Sequence, residues 1–370
     1  MLVVDGTSGV TFNDSSLQGA AASPFGLKNR IINGDMVIDQ RNAGALINPA
    51  VAGYTVDRWY YFQSQTSKGT IGQNAGSVTP PTGYVNYLGF TSTSAYSINS
   101  TDQFLIQQNI EGLNTADLAW GTANARTVTL SFWVRSSLTG TFGGALQNSA
   151  SNRCYPFSYT ISTANTWTQI SITITGDTTG TWLTTNGTGV KVVFSLASGT
   201  AQSSTAGAWT GTSFQTSVTG AVSVVGTNGA TFYITGVQLE RNTTATPFEW
   251  LPYTTELQLC QRYCVVYGRE AAYNEVSGTG FAWNTTTVDL PIILSPQMRT
   301  VPSISSSGNF QISDGASGYS ITSFTVLTGQ SSSLVLSIRA TVSSGLTAFR
   351  PYRIESANST ASTFTISAEL

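Results

Sequence analysis

The sequence predicts an all-β protein: a jelly-roll β-sandwich followed by a second, smaller β-sandwich. Three observations carry that reading. Runs of alternating and β-branched residues recur along the chain, each bounded by Gly, Asn, Ser or Thr, and helical periodicity is almost absent. A length of 370 residues is long for one all-β unit, so two domains and a short extra segment are expected.

The strands announce themselves in order. TVTLSFWVRS at 127–136, TWTQISITITG at 166–176, VKVVFSLASG at 190–199 and ATFYITGVQLE at 230–240 all read as strands. In TWTQISITI, Ile170, Ile172 and Ile174 share one parity while Ser and Thr take the other, as in a sheet with one buried and one wet face. Trp59, Trp133 and Trp167 sit in or beside such patterns and read as core. A sandwich or jelly roll is the architecture that pairs many strands of this kind. The best helix is YTTELQLCQRYC at 253–264, with Thr254 or Thr255 as cap and Leu257, Cys260 and Cys264 on one face. It follows Pro247 and Pro252 and marks the domain boundary. Beyond it, FAWNTTTVDLPIIL, FTVLTGQSSSLVLSIRATVS and STFTISAEL predict the smaller β domain. The expected organisation is an N-terminal segment 1–27, a jelly roll 28–252, a helical linker 253–264 and a C-terminal domain 265–370.

Composition removes several functions. Only 9% of residues are charged and the net charge is −2, so nothing argues for nucleic acid, which needs clustered Lys and Arg. No apolar run is long enough to insert into a membrane, and MLVVDGTSGVTF lacks the features of a secretory signal. A neutral, hydroxyl-rich surface without an export signal suggests release by lysis inside a particle. There is no His, which excludes His-based nucleophilic catalysis and His-bearing metal sites. Three Cys make no disulfide framework, and Cys260 and Cys264 read as small buried residues. No catalytic residue, metal or cofactor is expected. Between Lys191 and Glu240 no residue is charged, so strand edges there are either covered or packed against copies of the chain.

Against this background, NRIINGDMVIDQRNAG at 29–44 stands out. Lys28, Arg30, Asp35, Asp39 and Arg41 fall within fourteen positions, followed by Asp57 and Arg58, and charge returns at Glu240, Arg241 and Glu249. If the first and last strands of the domain lie side by side, Arg30, Arg41 and Arg58 can pair with Asp35, Asp57, Glu240 and Glu249 as a charge clamp. The alternative is a set of solvated charges of little consequence.

The same stretch carries a resemblance. NRIINGDMVIDQRNAG, GYTVDRW at 53–59, SFWVRSS at 131–137, ITGVQLE at 234–240 and TPFEWLPYTTELQLCQRY at 246–263 resemble tail-fiber and related virion proteins of tailed bacteriophages. Their module is similar to a carbohydrate-binding, galactose-binding-like jelly roll. GVTFNDSSLQGAAA at 9–22 resembles the short collar that precedes this module in trimeric fibers. The resemblance implies a virion component, a homotrimer attached to other virion proteins through its N-terminal segment, with host surface polysaccharide as partner. Tail fiber is the expected location ahead of the capsid surface. The short N-terminus leans towards a head-decoration or head-fiber protein, and a polysaccharide depolymerase is the third alternative, though no convincing carboxylate pair is offered.

For sugar contact, aromatic rings beside polar loops are the candidates. They are Tyr273, Trp283 and Tyr319 in the C-terminal domain, with Asn274 and Asn284 supplying amide hydrogen bonds, and Trp182 and Trp209 near turns of the jelly roll.

Overall fold

The computed structural model describes residues 27–50 and 52–370, together with the backbone of three short strands, Val3–Asp5, Gly9–Thr11 and Leu17–Gln18, paired antiparallel. The remainder of the collar-like segment lies outside the described residues.

The jelly roll is present as two antiparallel sheets face to face. One has six strands in the order Cys154–Ile161, Gly140–Gln147, Thr188–Ser198, Gln103–Glu111, Tyr60–Gln63, Ala52–Tyr54. The other has five, Thr168–Ile174, Val128–Ser136, Thr231–Glu240, Leu88–Ser92, Gly69–Gln73. Period-two alternation sends Leu130, Phe132 and Val134 of one sheet towards Phe142, Phe157 and Phe194 of the other, and Trp59 is fully buried among them. Trp133 and Trp167 are corrections to the sequence reading. Trp133 alternates with the core-facing Phe132 and Val134, so it points out of the sandwich half-buried. Trp167 is likewise half-buried, donating its indole N–H to the Thr79 carbonyl at 2.8 Å.

The uncharged segment after Lys191 covers the outer face of the six-stranded sheet. Thr210 exchanges backbone hydrogen bonds with Cys154, Gln147 Nε2 donates to the Gln215 carbonyl, and Ser217 lies against Gly143 so closely that a Cβ there would collide. Its neutrality is therefore used inside the chain, where a charge would be desolvated.

The helix runs from Tyr253 to Gln261. It is capped by Pro252, whose carbonyl accepts from the N–H groups of Thr255 and Glu256, with no side-chain cap from Thr254 or Thr255. Cys260 and Cys264 are buried and unbonded. After the helix comes the smaller β unit. A three-stranded sheet, Cys264–Gly268, Thr363–Ser367, Ser303–Ser307, lies beside a barrel ordered Gly280–Ala282, Thr287–Ile293, Val335–Val342, Gly318–Val326, Phe310–Ser313, Pro351–Ser356. Where the sequence suggested a small β-sandwich, these six strands close into a barrel. The strand Pro351–Ser356 pairs with Gly280 and Phe281 through its first residues and with Phe310–Ser313 through the rest, so it bridges both ends of the sheet.

The charged positions explain how the units join. The two ends of the jelly roll do lie side by side, but through neutral and single-charge contacts: Arg30 N donates to the Leu239 carbonyl, Asn29 N to Glu249, and Lys28 Nζ to Thr246 and Pro247. Glu240 accepts from Gln238 and Thr246, and Arg30 pairs with Asp117 at 2.7 Å. Among the described residues Asp35, Glu240 and Glu249 take no arginine partner. The partner of Arg41 and Arg58 is Glu369, which the sequence reading did not consider. Arg41 reaches Glu369 Oε1 at 2.9 Å and Asp57 at 3.8 Å, and Arg58 pairs with Glu369 Oε2 while its guanidinium lies 3.6 Å over the Tyr263 ring. The Arg58 side chain is 1% exposed. Around this pair, Arg262 binds Glu111 through two nitrogens, Arg269 donates to the carbonyls of Gln40 and Arg41, and Arg299 donates to those of Ala368 and Glu369. Residues 40–58 of the jelly roll are thereby clamped to Glu369 and Arg269 of the smaller unit.

Two outcomes are expected. Glu369→Ala leaves Arg58 buried without its counter-charge and should cost about 3–5 kcal/mol, whereas Arg58→Met with Glu369→Leu should recover much of that loss. Urea unfolding of the single and double variants measures both, and an additive double variant would contradict the clamp. The second concerns Glu256, which accepts a hydrogen bond from Asn33 N. Burial pushes its pKa up to about 7, with Asp35 and Glu249 adding repulsion. The folded state thus holds this proton more tightly than the unfolded chain. Its stabilisation is complete below the unfolded carboxyl range and is lost as pH rises through about 7. Glu256→Gln should stabilise the protein at pH 8 on the order of 1–3 kcal/mol and change little at pH 4, read from thermal melts at both pH values.

Candidate functional site

Outside the two cores, exposed aromatic side chains gather on one face of the barrel. In Gly280–Ala282, Ala282 points inward at 1% exposure, so Phe281 and, one residue past the strand, Trp283 share the outer face. Register places Phe281 opposite Asp289 on one side and Pro351 on the other. The Phe349 N–H donates to the Ala282 carbonyl and the Trp283 N–H to the Thr287 carbonyl, so the backbone of Phe349 lies next to that of Trp283. Phe281 and Trp283 are each 61% exposed and Phe349 is 77% exposed. A monomer does not ordinarily leave three large aromatic side chains in water on one face.

Trp283 is held rigidly. Its indole N–H donates to Asp289 Oδ2 at 2.6 Å, and Arg339 holds the same carboxylate through Nε at 2.6 Å and Nη2 at 2.7 Å. With the N–H occupied, what Trp283 offers outward is its ring face. Phe349 has φ +63°, a left-handed backbone costly for a side chain of this size, which the turn 347–351 imposes. The face can therefore stack on apolar ring surfaces, with Arg339 at its rim for hydrogen bonds.

The other sequence candidates fall elsewhere. The side-chain carbonyl of Asn284 accepts from the N–H and hydroxyl groups of both Thr286 and Thr287, closing the hairpin next to Trp283. The Asn274 side-chain carbonyl likewise accepts from Ala271 N, fixing the loop that exposes Tyr273. That loop meets the barrel at Ser356, the far end of Pro351–Ser356, roughly 17 Å from the Phe349 end by strand rise. Tyr273 and Trp283 are therefore not brought together. Tyr319 is half-buried, edge-on to Tyr352 at 6.1 Å.

Trp182 and Trp209 are brought together, with Trp120 as a third ring at centroid distances of 4.7–5.3 Å. All three indole N–H groups are used internally, on Asp177, on the Thr175 carbonyl and on the Arg126 carbonyl, and the cluster packs on the sandwich core. Phe281 and Phe349 were not singled out by sequence reasoning. Phe281 could have been, since it lies two residues from Trp283 and must share its side of a strand.

No protein-family model and no curated protein sequence matches the chain. Among solved structures it is similar to the enzymatically active domain of tailspike protein 4 of bacteriophage CBA120, at 12% identity and a TM-score of 0.33. That match covers 58% of this chain and 21% of the tailspike chain. It is also similar to TmCBM61 in complex with β-1,4-galactotriose, at 10% identity and TM-score 0.30 over 58% of this chain and 100% of that one. The family 11 carbohydrate-binding module of Clostridium thermocellum in complex with a β-1,3-1,4-mixed-linked tetrasaccharide gives 10% identity and TM-score 0.28 over 52% and 97%. At these values the fold is read from the chain's own sheets.

The two aromatic groups should separate on mutation. Trp209→Ala opens a hole in the three-ring cluster and should cost about 3 kcal/mol or more, while Trp283→Ala should change stability by less than about 1 kcal/mol. Denaturant unfolding of both variants measures the contrast, and a large loss in Trp283→Ala would make that ring structural.

Proposed function

We propose that the chain is a non-catalytic attachment protein of a tailed-phage virion, a homotrimeric tail-fiber component that holds host surface polysaccharide through the barrel's aromatic face. The observation that carries this reading is the exposed row of Phe281, Trp283 and Phe349, with Trp283 fixed by Asp289 and Arg339. A pyranose presents one face of C–H groups, which stacks on an aromatic ring, and equatorial hydroxyls, which suit a rim donor such as Arg339. The charge-poor surface agrees with a neutral ligand. The sequence motifs at 29–44, 53–59, 131–137, 234–240 and 246–263 support the virion assignment, and the N-terminal segment is the part proposed to contact other virion proteins.

The experiment has two arms. Antibody-gold electron microscopy on intact virions should label the tail, and the isolated chain carrying Trp283→Ala should bind host cells about tenfold more weakly than wild type. Label spread over the capsid would make it a head protein, and unchanged binding would remove the aromatic face from the reading. Incubation with host polysaccharide should leave its chain length unaltered; shortened chains would make the protein a depolymerase.

A further inference from the structure

A groove of about 520 Å³ lies on another side of the barrel, between strands Ser303–Ser307 and Gly318–Val326. Both walls are strand edges. Ser303–Ser307 is the outer strand of its three-stranded sheet, and beyond Ser320 the strand Gly318–Val326 pairs only on the side of Val335–Val342. Two properties bear on what this groove can hold. No charged residue lines it. Most of its polar side chains are uncommitted: the Thr322 hydroxyl donates to the Thr341 carbonyl at 3.0 Å, but among the described residues the hydroxyls of Ser305, Ser306, Ser320 and Ser323 and the carboxamide of Asn309 enter no hydrogen bond, although the Asn309 backbone is tied to Ser362. By contrast, the side chains of Asn274 and Asn284 and the indoles of Trp182 and Trp209 already have protein partners. Behind the hydroxyls stands Phe324, half-buried and locked edge-on against Phe310 at 5.8 Å and Phe364 at 5.0 Å.

We infer that this groove binds a short stretch of neutral oligosaccharide. Unpartnered hydroxyl and amide groups on both walls match a ligand made of hydroxyls, and the Phe324 ring, which cannot turn away, offers the apolar surface that a sugar ring's C–H face requires. The other candidate for two open strand edges is an added peptide strand, which needs an uninterrupted ladder. The wall Ser303–Ser307 keeps its register but is only five residues long, and the wall Gly318–Val326 shifts register between Ile321 and Ser323, a bulge of the kind that blocks edge-to-edge pairing. In the barrel order, Thr287–Ile293 and Val335–Val342 lie between the Trp283 strand and the groove wall Gly318–Val326, so a polysaccharide could engage the barrel at two places.

This inference rests on the glycan-attachment reading, and the test keeps the two apart. Full-length chain is assayed against an array of neutral gluco-, galacto- and manno-oligosaccharides, as wild type and as Ser306→Trp, Ser320→Trp, Asn309→Ala and Trp283→Ala. The two Trp variants fill the groove from opposite walls, and Asn309→Ala removes one amide from the surface; thermal melts confirm that each variant is folded. At least one oligosaccharide should bind wild type and lose about tenfold in affinity in the three groove variants. Loss confined to Trp283→Ala would overturn the groove while the function reading stands, and an array on which wild type binds nothing would overturn both. Unchanged binding accompanied by loss of the oligomer in the Trp variants would make the groove a contact between copies, and would overturn the inference.

Discussion

The architecture turns on one buried carboxylate. Glu369 lies between Arg41 and Arg58, at 7% exposure, near the end of the last strand-bearing segment, and both arginines belong to the loop stretch that opens the jelly roll. A guanidinium as buried as that of Arg58 is tolerable only with a counter-charge and a ring to lie on; Glu369 supplies the first from the smaller unit and Tyr263 the second from the segment just after the helix. Within the stretch 29–44 it is Arg41 whose side chain pairs across to the smaller unit, while Arg30 pairs inside the jelly roll with Asp117. The polar backbone of the stretch is organised around Asn33, which is fully buried. Its carboxamide bonds Ile38 and Asp57, its carbonyl accepts the indole N–H of Trp59, and its own N–H reaches Glu256 of the helix. The helix, the jelly-roll core and the interdomain seam thus share one residue at their junction.

A chain with so few charges cannot protect strand edges in the ordinary way, by placing lysines on them. It uses three other devices. The segment after Lys191 folds back over a sheet face, the smaller unit closes into a barrel, and a bulge interrupts the strand Gly318–Val326 where its edge is open. Each keeps a neutral surface from pairing with a second chain while leaving hydroxyls in contact with water.

Much of this was legible in the residues, and the rest was not for definable reasons. Alternation in 127–136 and 230–240 gives strands and the sandwich directly, because side-chain period is a local property. It does not say which parity faces inward, and so Trp133 was assigned to the core when its neighbours Phe132 and Val134 occupy it. The seam was visible as an excess of charge, but its partner was not, since Glu369 is separated from Arg41 and Arg58 by 328 and 311 residues. Trp283 was recognisable as a loop-side aromatic. Phe349 was not, because its place beside Trp283 depends on barrel closure through Pro351–Ser356, a pairing with no sequence signature.

What distinguishes the surfaces suited to a ligand is the state of their polar groups more than the presence of aromatic rings. The cluster of Trp120, Trp182 and Trp209 brings three indoles together, yet every indole N–H already has an acceptor and the rings close on one another. On the barrel the arrangement is reversed. Trp283 spends its N–H on Asp289 in order to fix an open ring, and the groove behind Ser305 and Ser320 keeps its hydroxyls uncommitted over the immobile Phe324. In both places the ring is held by side chains behind the surface, so a ligand would meet aromatic faces already positioned on folding. Binding energy there would not be offset by ordering the site, which is the condition a neutral, weakly attracted ligand most requires.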